Sequence, residues 1–143
     1  MKLYKELEGK IALITGASRG FGAAIATRLA TEGATVVINY RRSRSEAETL
    51  LKHIDSIGGQ AIAIKADIGN EEKLHALFDA IKQEFGKLDI VVANASFGIP
   101  SKLMDASVRY WDVTMDATAL SLLLMAQLAE PLMDGWGRII PIT

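Results

Sequence analysis

Gly16, Gly20 and Gly22 stand at the spacing Gly-x-x-x-Gly-x-Gly within Thr15-Gly16-Ala17-Ser18-Arg19-Gly20-Phe21-Gly22. Glycine has no Cβ, so such a run lets backbone N–H groups close on an anion that side chains would hold away. Gly16 suits a sharp turn off a strand, Gly20 a close approach to a pyrophosphate, and Gly22 tight packing of a helix on that strand. Residues 11–15 before the loop are apolar and residues 23–32 after it are helix-forming. Strand, glycines and helix in that order give the spacing its meaning. A helix amino terminus adds unpaired N–H groups and partial positive charge for phosphates. A mere tight turn is the competing explanation, and the alternation described below weighs against it. No Gly-Lys-Ser/Thr follows, which excludes a P-loop.

A second group of residues bears on which dinucleotide fits. The next apolar segment runs out as Val36-Val37-Ile38-Asn39-Tyr40-Arg41-Arg42-Ser43. In NAD-binding folds a carboxylate near this point holds the ribose 2′-hydroxyl. Here the first acid is Glu46, and Tyr40, Arg41, Arg42 and Ser43 occupy its place. A guanidinium forks a phosphate, so the pattern predicts a 2′-phosphate and hence NADP(H), with Arg19 of the glycine loop within reach of the same group. The alternative is a solvated helix entrance made of Arg41, Arg42 and Arg44. The missing acid also weighs against a methyltransferase.

Other reactive types form no constellation. His53 and His75 have no carboxylate or cysteine at ligand spacing, and Asp112 with Asp116 makes a helix face without a third ligand, so no metal site is predicted. There is no cysteine, which removes disulfides and thiolate catalysis. Met104, Met115, Met125 and Met133 read as packing.

The elements that must position these residues follow from periodicity. Residues 11–15, 35–39, 61–66, 90–93 and 139–142 are apolar at successive positions, as strands buried on both faces must be. Amphipathic stretches lie between them. Ser43 with Glu46 reads as a capping box before Ala47, Leu50, Leu51, Ile54 and Ile57, ended by Gly58-Gly59. Asn70 can cap the next helix, whose inner face is Leu74, Leu77, Phe78, Ile81 and Phe85, before Gly86. The alternation predicts an α/β fold of Rossmann type, a doubly wound parallel sheet with helices on both faces. Residues 107–133 read as one long helix or two consecutive ones. Within them residues 120–128 are apolar almost all round, so the face away from the sheet meets either a partner subunit or a further segment.

Bulk composition sets the outer bounds. With 143 residues, 50% hydrophobic and 23% charged, the chain reads as a single globular domain. A net charge of −1 leaves no electrostatic footprint for nucleic acid or anionic lipid. Residues 1–6 lack the apolar core of a signal peptide, and residues 118–126 fall far short of the roughly 20 needed to span a bilayer. A cytoplasmic protein is expected.

Taken together, Thr15-Gly-x-x-x-Gly-x-Gly22, Asp67-Ile68 after the third strand, Asn94-Ala95 after the fourth and Gly137-Arg138-Ile139-Ile140 opening the fifth resemble the short-chain dehydrogenase/reductase family. The likeness covers residues 9–143, and its wording is most similar to the acyl-carrier-protein reductases, 3-oxoacyl and enoyl. The resemblance implies a strand order 3-2-1-4-5. It implies that Asp67, flanked by Ala66 and Ile68, accepts from the adenine amino group. It also implies that Asn94 sits behind the cofactor with backbone approach allowed at Ala93 and Ala95, Ser96 following. Two positions depart from the pattern. The family's Asn-Asn-Ala-Gly reads Ala93-Asn94-Ala95-Ser96, and its catalytic asparagine, seven residues beyond a tryptophan, falls on Thr118 counted from Trp111.

The family's serine and its Tyr-x-x-x-Lys follow the fifth strand and have no counterpart in residues 1–143. The tyrosines are Tyr4, Tyr40 and Tyr110, none with a lysine four residues later. The expectation is therefore the cofactor-binding, amino-terminal portion of an NADP(H)-dependent reductase acting on a small-molecule or acyl-thioester substrate, inactive by itself and homo-oligomeric. The rival expectation is a non-catalytic NADP-binding module.

Overall fold

The computed structural model describes residues 5–143, so the reading of residues 1–6 as no signal peptide, and Tyr4 with it, falls largely outside the described residues. Five parallel strands form one sheet: β1 (Ile11–Ile14), β2 (Thr35–Tyr40), β3 (Gln60–Lys65), β4 (Ile90–Ala93) and β5 (Arg138–Pro141). Their order is β3-β2-β1-β4-β5, as the resemblance implied. Helices α1 (Gly20–Thr31), α2 (Arg44–Ser56), α3 (Glu71–Phe85), α4 (Val108–Met115) and α5 (Ser121–Ala129) connect them.

Two apolar layers sandwich the sheet, because adjacent residues of a strand face opposite sides. Ala12, Ile14, Val36 and Ile38 pack with Ala26, Ala30, Leu50 and Ile54 of α1 and α2. Leu13, Val37 and Val91 pack with Leu74, Leu77, Phe78 and Ile81 of α3 and with Met125 and Ala129 of α5. This is why the strands read as unbroken apolar runs. Their carboxyl ends, where side chains are not consumed by either layer, are left for a site.

Local signals acted as expected at some boundaries. Asn70 Oδ1 accepts from the Lys73 N–H at 2.9 Å, and Gly86 ends α3 with φ +68°. The capping box of Ser43 and Glu46 does not form. Ser43 precedes α2 without a side-chain cap, and the Ser45 hydroxyl donates to Glu46 Oε2 at 2.8 Å instead. Residues 107–133 form a nearly continuous helical stretch interrupted by a π-helical turn at Asp116–Leu120. Of the apolar section 120–128, Ser121 and Met125 are buried against the sheet while Leu120 and Leu123 are exposed.

β5 is the sheet's edge. Arg138 N donates to Asp89 O at 2.9 Å and Ile142 N to Ala93 O at 3.1 Å, so even-numbered residues of this strand bond to β4. Pro141, which has no N–H, faces away from β4 and costs the ladder nothing. At the amino ends of the strands Asp89 is 8% exposed and accepts from the Ile11 N–H at 2.8 Å, with Lys87 Nζ and Lys10 Nζ at 3.3 and 3.4 Å. Among the described residues no helix is long and apolar enough to cross a membrane.

Candidate cofactor site

The carboxyl ends of β1, β2, β3 and β4 surround a cavity of about 410 Å³. Its walls are Gly16, Ser18 and Arg19 after β1, the segment 39–43 of β2 and beyond, Ala66, Asp67 and Ile68 after β3, Asn94 to Phe97 after β4, and Ala117. Thirteen of the sixteen predicted cofactor residues therefore converge: Gly16, Ser18, Arg19, Tyr40, Arg41, Arg42, Ser43, Ala66, Asp67, Ile68, Asn94, Ala95 and Ser96. Gly20, Phe21 and Gly22 lie at the start of α1 rather than in the wall, Phe21 with 80% of its surface exposed.

The glycines separate by role. Gly16 has φ +61°, and a Cβ there would lie 2.9 Å from Ala95 Cα and Cβ, so the turn needs glycine for conformation and for space. A Cβ at Gly22 would come within 2.6 Å of Asn94 Nδ2 and the Gly16 carbonyl. Gly20 has φ +58° and open space around its Cβ position, room an incoming phosphate can use. α1 itself starts after Arg19 with no side-chain cap and no acidic residue in its first turn. By contrast α3 carries Asn70, Glu71 and Glu72 at its start. The amino end of α1 thus keeps its donors and its positive dipole end for a ligand.

Two asparagines hold this loop. Asn94 Nδ2 donates to the carbonyls of Thr15 at 3.0 Å and Gly16 at 3.2 Å. The Thr15 hydroxyl, fully buried, accepts from the N–H groups of Asn94 at 3.1 Å and Ala95 at 3.0 Å. On the other side Asn39 Oδ1 accepts from the Gly16 N–H at 3.3 Å, and its Nδ2 donates to the Ala66 carbonyl at 3.1 Å and the Ile64 carbonyl at 3.4 Å. The loop is thereby tied to all three strands that flank or follow it. Among the described residues no buried side-chain nitrogen or oxygen lacks a partner.

Asn39, Phe97 and Ala117 were not anticipated. Asn39 had a signal, a lone amide inside an apolar strand run; Phe97 and Ala117 had none, since their place depends on how distant segments meet. Thr118 lies beside the cavity wall, which its neighbour Ala117 forms. Its hydroxyl donates to the Thr114 carbonyl at 2.6 Å.

At the rim the Arg41 guanidinium lies over the Phe97 ring with 4.9 Å to the centroid, and its Nη1 lies 3.8 Å from Asp67 Oδ2. Asp67 Oδ1 accepts from the Gly69 N–H at 3.1 Å. No group of three or more metal-binding side chains occurs among the described residues.

Known proteins are similar to this chain in sequence and fold. An uncharacterized oxidoreductase of Methylorubrum extorquens is 38% identical over 138 residues, 96% of this chain and 56% of that protein. The 1-cyclohexenylcarbonyl-CoA reductase of Streptomyces collinus is 37% identical over 134 residues, 94% of this chain and 48% of that protein. A short-chain dehydrogenase from Burkholderia cenocepacia J2315, solved in complex with NADP, superposes with a TM-score of 0.88 at 38% identity, covering 94% of this chain and 55% of that one. The chain spans about half the length of the curated relatives it matches. The family model for short chain dehydrogenases matches residues 10–143, glycine loop and all four strand-end segments included. This chain belongs to the short-chain dehydrogenase family.

Proposed function

We propose that this chain binds NADP(H) and serves an NADP(H)-dependent oxidoreductase of the short-chain type as its cofactor-binding portion. One observation carries the reading. Arg41 and Arg42 line the cavity at the end of β2, where no carboxylate stands, and Arg19 lines it from the glycine loop. The tight Gly16 turn, the open space at Gly20 and the uncapped start of α1 fit a pyrophosphate. The NADP in the Burkholderia neighbour supports the same choice.

When bound, the nicotinamide supplies or takes a hydride. The chain's own residues do the holding: the α1 amino end neutralises the pyrophosphate, Asp67 accepts from the adenine, and Asn39 and Asn94 keep the glycine turn in shape. The substrate is a carbonyl or an activated double bond, and an acyl thioester is the favoured class; the Streptomyces relative, a reductase of a CoA thioester, supports it. A rival role as a non-catalytic NADP-binding module draws on a specific observation. Thr118 stands at the family's asparagine position, where it offers no amide, and its hydroxyl donates to the Thr114 carbonyl. The exposed apolar residues Val108, Trp111 and Leu123 along α4 and α5 support a homo-oligomer, which light scattering tests. A cytoplasmic home belongs to the same reading.

Fluorescence titration with NADPH and NADH tests cofactor choice. The expected result is tighter NADPH binding, lost in an Arg41→Ala/Arg42→Ala variant by about ten- to a hundredfold. Equal affinities for the two cofactors would refute it.

A further inference from the structure

Three strand ends meet around one side chain. Arg41 follows β2, Phe97 lies beyond β4, and Asp67 lies beyond β3. β2 and β4 are not neighbours; both pair with β1 and stand on either side of it. The contact of Arg41 with the face of Phe97, 4.9 Å from guanidinium carbon to ring centroid, therefore joins the segments that leave the two strands flanking β1. Phe97 keeps 38% of its surface exposed, so its ring is not consumed by either core layer.

We propose that Phe97 is a positioning residue for Arg41: it holds the guanidinium at the cavity rim with N–H groups free for a 2′-phosphate, so preference for NADP(H) over NAD(H) depends on the ring at 97 as well as on the charge at 41. This rests on the NADP(H) reading above.

The geometry of a guanidinium makes the two tasks compatible. Stacking on an aromatic ring uses its face, while a phosphate is forked by the N–H groups at its edge. A long, freely rotating arginine loses side-chain entropy when it is fixed on a ligand, and restraint before binding reduces that loss. Asp67 restrains the same group without taking its donors. At 3.8 Å the pair is beyond hydrogen-bond range, so the attraction is coulombic and screened by solvent. NADH has no 2′-phosphate and does not engage the edge, so its affinity is the internal reference.

The test is titration of the full chain with NADPH and NADH in five forms: unaltered, Phe97→Leu, Phe97→Tyr, Arg41→Ala, and Phe97→Leu combined with Arg41→Ala. The expected result is that Phe97→Leu lowers the NADPH-to-NADH affinity ratio by about two- to fivefold while Phe97→Tyr preserves it. With Arg41→Ala already present, Phe97→Leu changes the ratio no further, because the ring acts through the guanidinium. A ring that merely packs the loop would lower both affinities and leave the ratio alone, which overturns the proposal. A rise in NADPH affinity on Phe97→Leu would make the ring a competitor for Arg41 and overturns it too. If the unaltered chain shows no preference, the NADP(H) reading falls and this inference with it. A preference that Phe97→Leu leaves unchanged removes this inference only.

Discussion

The Asn94 side-chain amide donates to the carbonyl oxygens of both Thr15 and Gly16, at 3.0 and 3.2 Å, so the end of β4 fixes the turn that leaves β1. β1 and β4 are adjacent in the sheet, with Ile14 opposite Val92, and this bond extends their pairing past the last strand residues.

Replacing Asn94 therefore reaches the glycine loop. Asn94→Ala leaves two carbonyls without that donor, an expected stability loss of about 1–3 kcal/mol with weakened NADPH binding. Asn94→Asp puts an acceptor against two acceptors and should cost more at neutral pH. Chemical denaturation of both variants measures the order; an aspartate variant more stable than the alanine one would contradict this picture.

Gly16 and Gly20 share a positive φ but differ in their surroundings. Gly20→Ala meets no atom within 4 Å and should cost only the left-handed strain of roughly 1–2 kcal/mol. Gly16→Ala adds a 2.9 Å collision with Ala95 backbone and side chain and should be clearly less stable. Both variants lose NADPH, so melting temperature, not binding, separates them. Equal melting temperatures would mean that Ala95 yields.

Asp89 makes the fold acid-sensitive. Burial alone raises the pKa of this carboxyl. The Ile11 N–H and the charges of Lys87 and Lys10 outweigh it, holding the group below its ordinary value. A folded-state pKa below the unfolded one means that its contribution is fully present above the unfolded value of about 3.9 and is lost as pH falls through that region toward the folded pKa. Urea denaturation between pH 7 and pH 2 should show stability falling below about pH 5. Asp89→Asn should be less stable at neutral pH, with a smaller acid-induced loss. A parallel pH profile for the two proteins would assign the acid sensitivity elsewhere.

Catalysis is the remaining expectation. A positioned acid contributes roughly 10²–10⁴-fold to hydride-transfer chemistry that generates an alkoxide. Neither Asn94 nor Thr118 is an acid near neutral pH. Residues 1–143 incubated with NADPH and a 3-oxoacyl or enoyl thioester should show no loss of NADPH absorbance above the protein-free rate. Turnover would place a proton donor among the residues described.

Much of this molecule could be read from residue order, and the reason is physical. Buried parallel strands have no polar face, so β1, β2 and β4 stand out as apolar runs; β3 and β5 read the same way and lie within about a residue of their observed ends, but β3 is only half-buried and β5 is largely exposed. The glycine spacing and the strand-end segments located the cavity because a doubly wound sheet brings carboxyl ends together whatever the helices contain. Contacts decided by three-dimensional approach were not legible. Ser43 and Glu46 have the capping spacing, yet Ser45 takes the Glu46 carboxylate. Phe97 is far from Arg41 in sequence and carries no motif. The π-helical turn at Asp116–Leu120 arises within an otherwise helical pattern that gives no warning of it.

Pro141 bears on how this sheet meets other chains. A bare parallel edge is a template on which a foreign strand can lay down successive hydrogen bonds. On the outer side of β5 one rung is absent, since the ring nitrogen of Pro141 has no hydrogen to give and its ring fills the space where a partner carbonyl would come. Any strand that pairs on that side of β5, whether of this protein or of another, must therefore bulge or leave one rung unmade at Pro141.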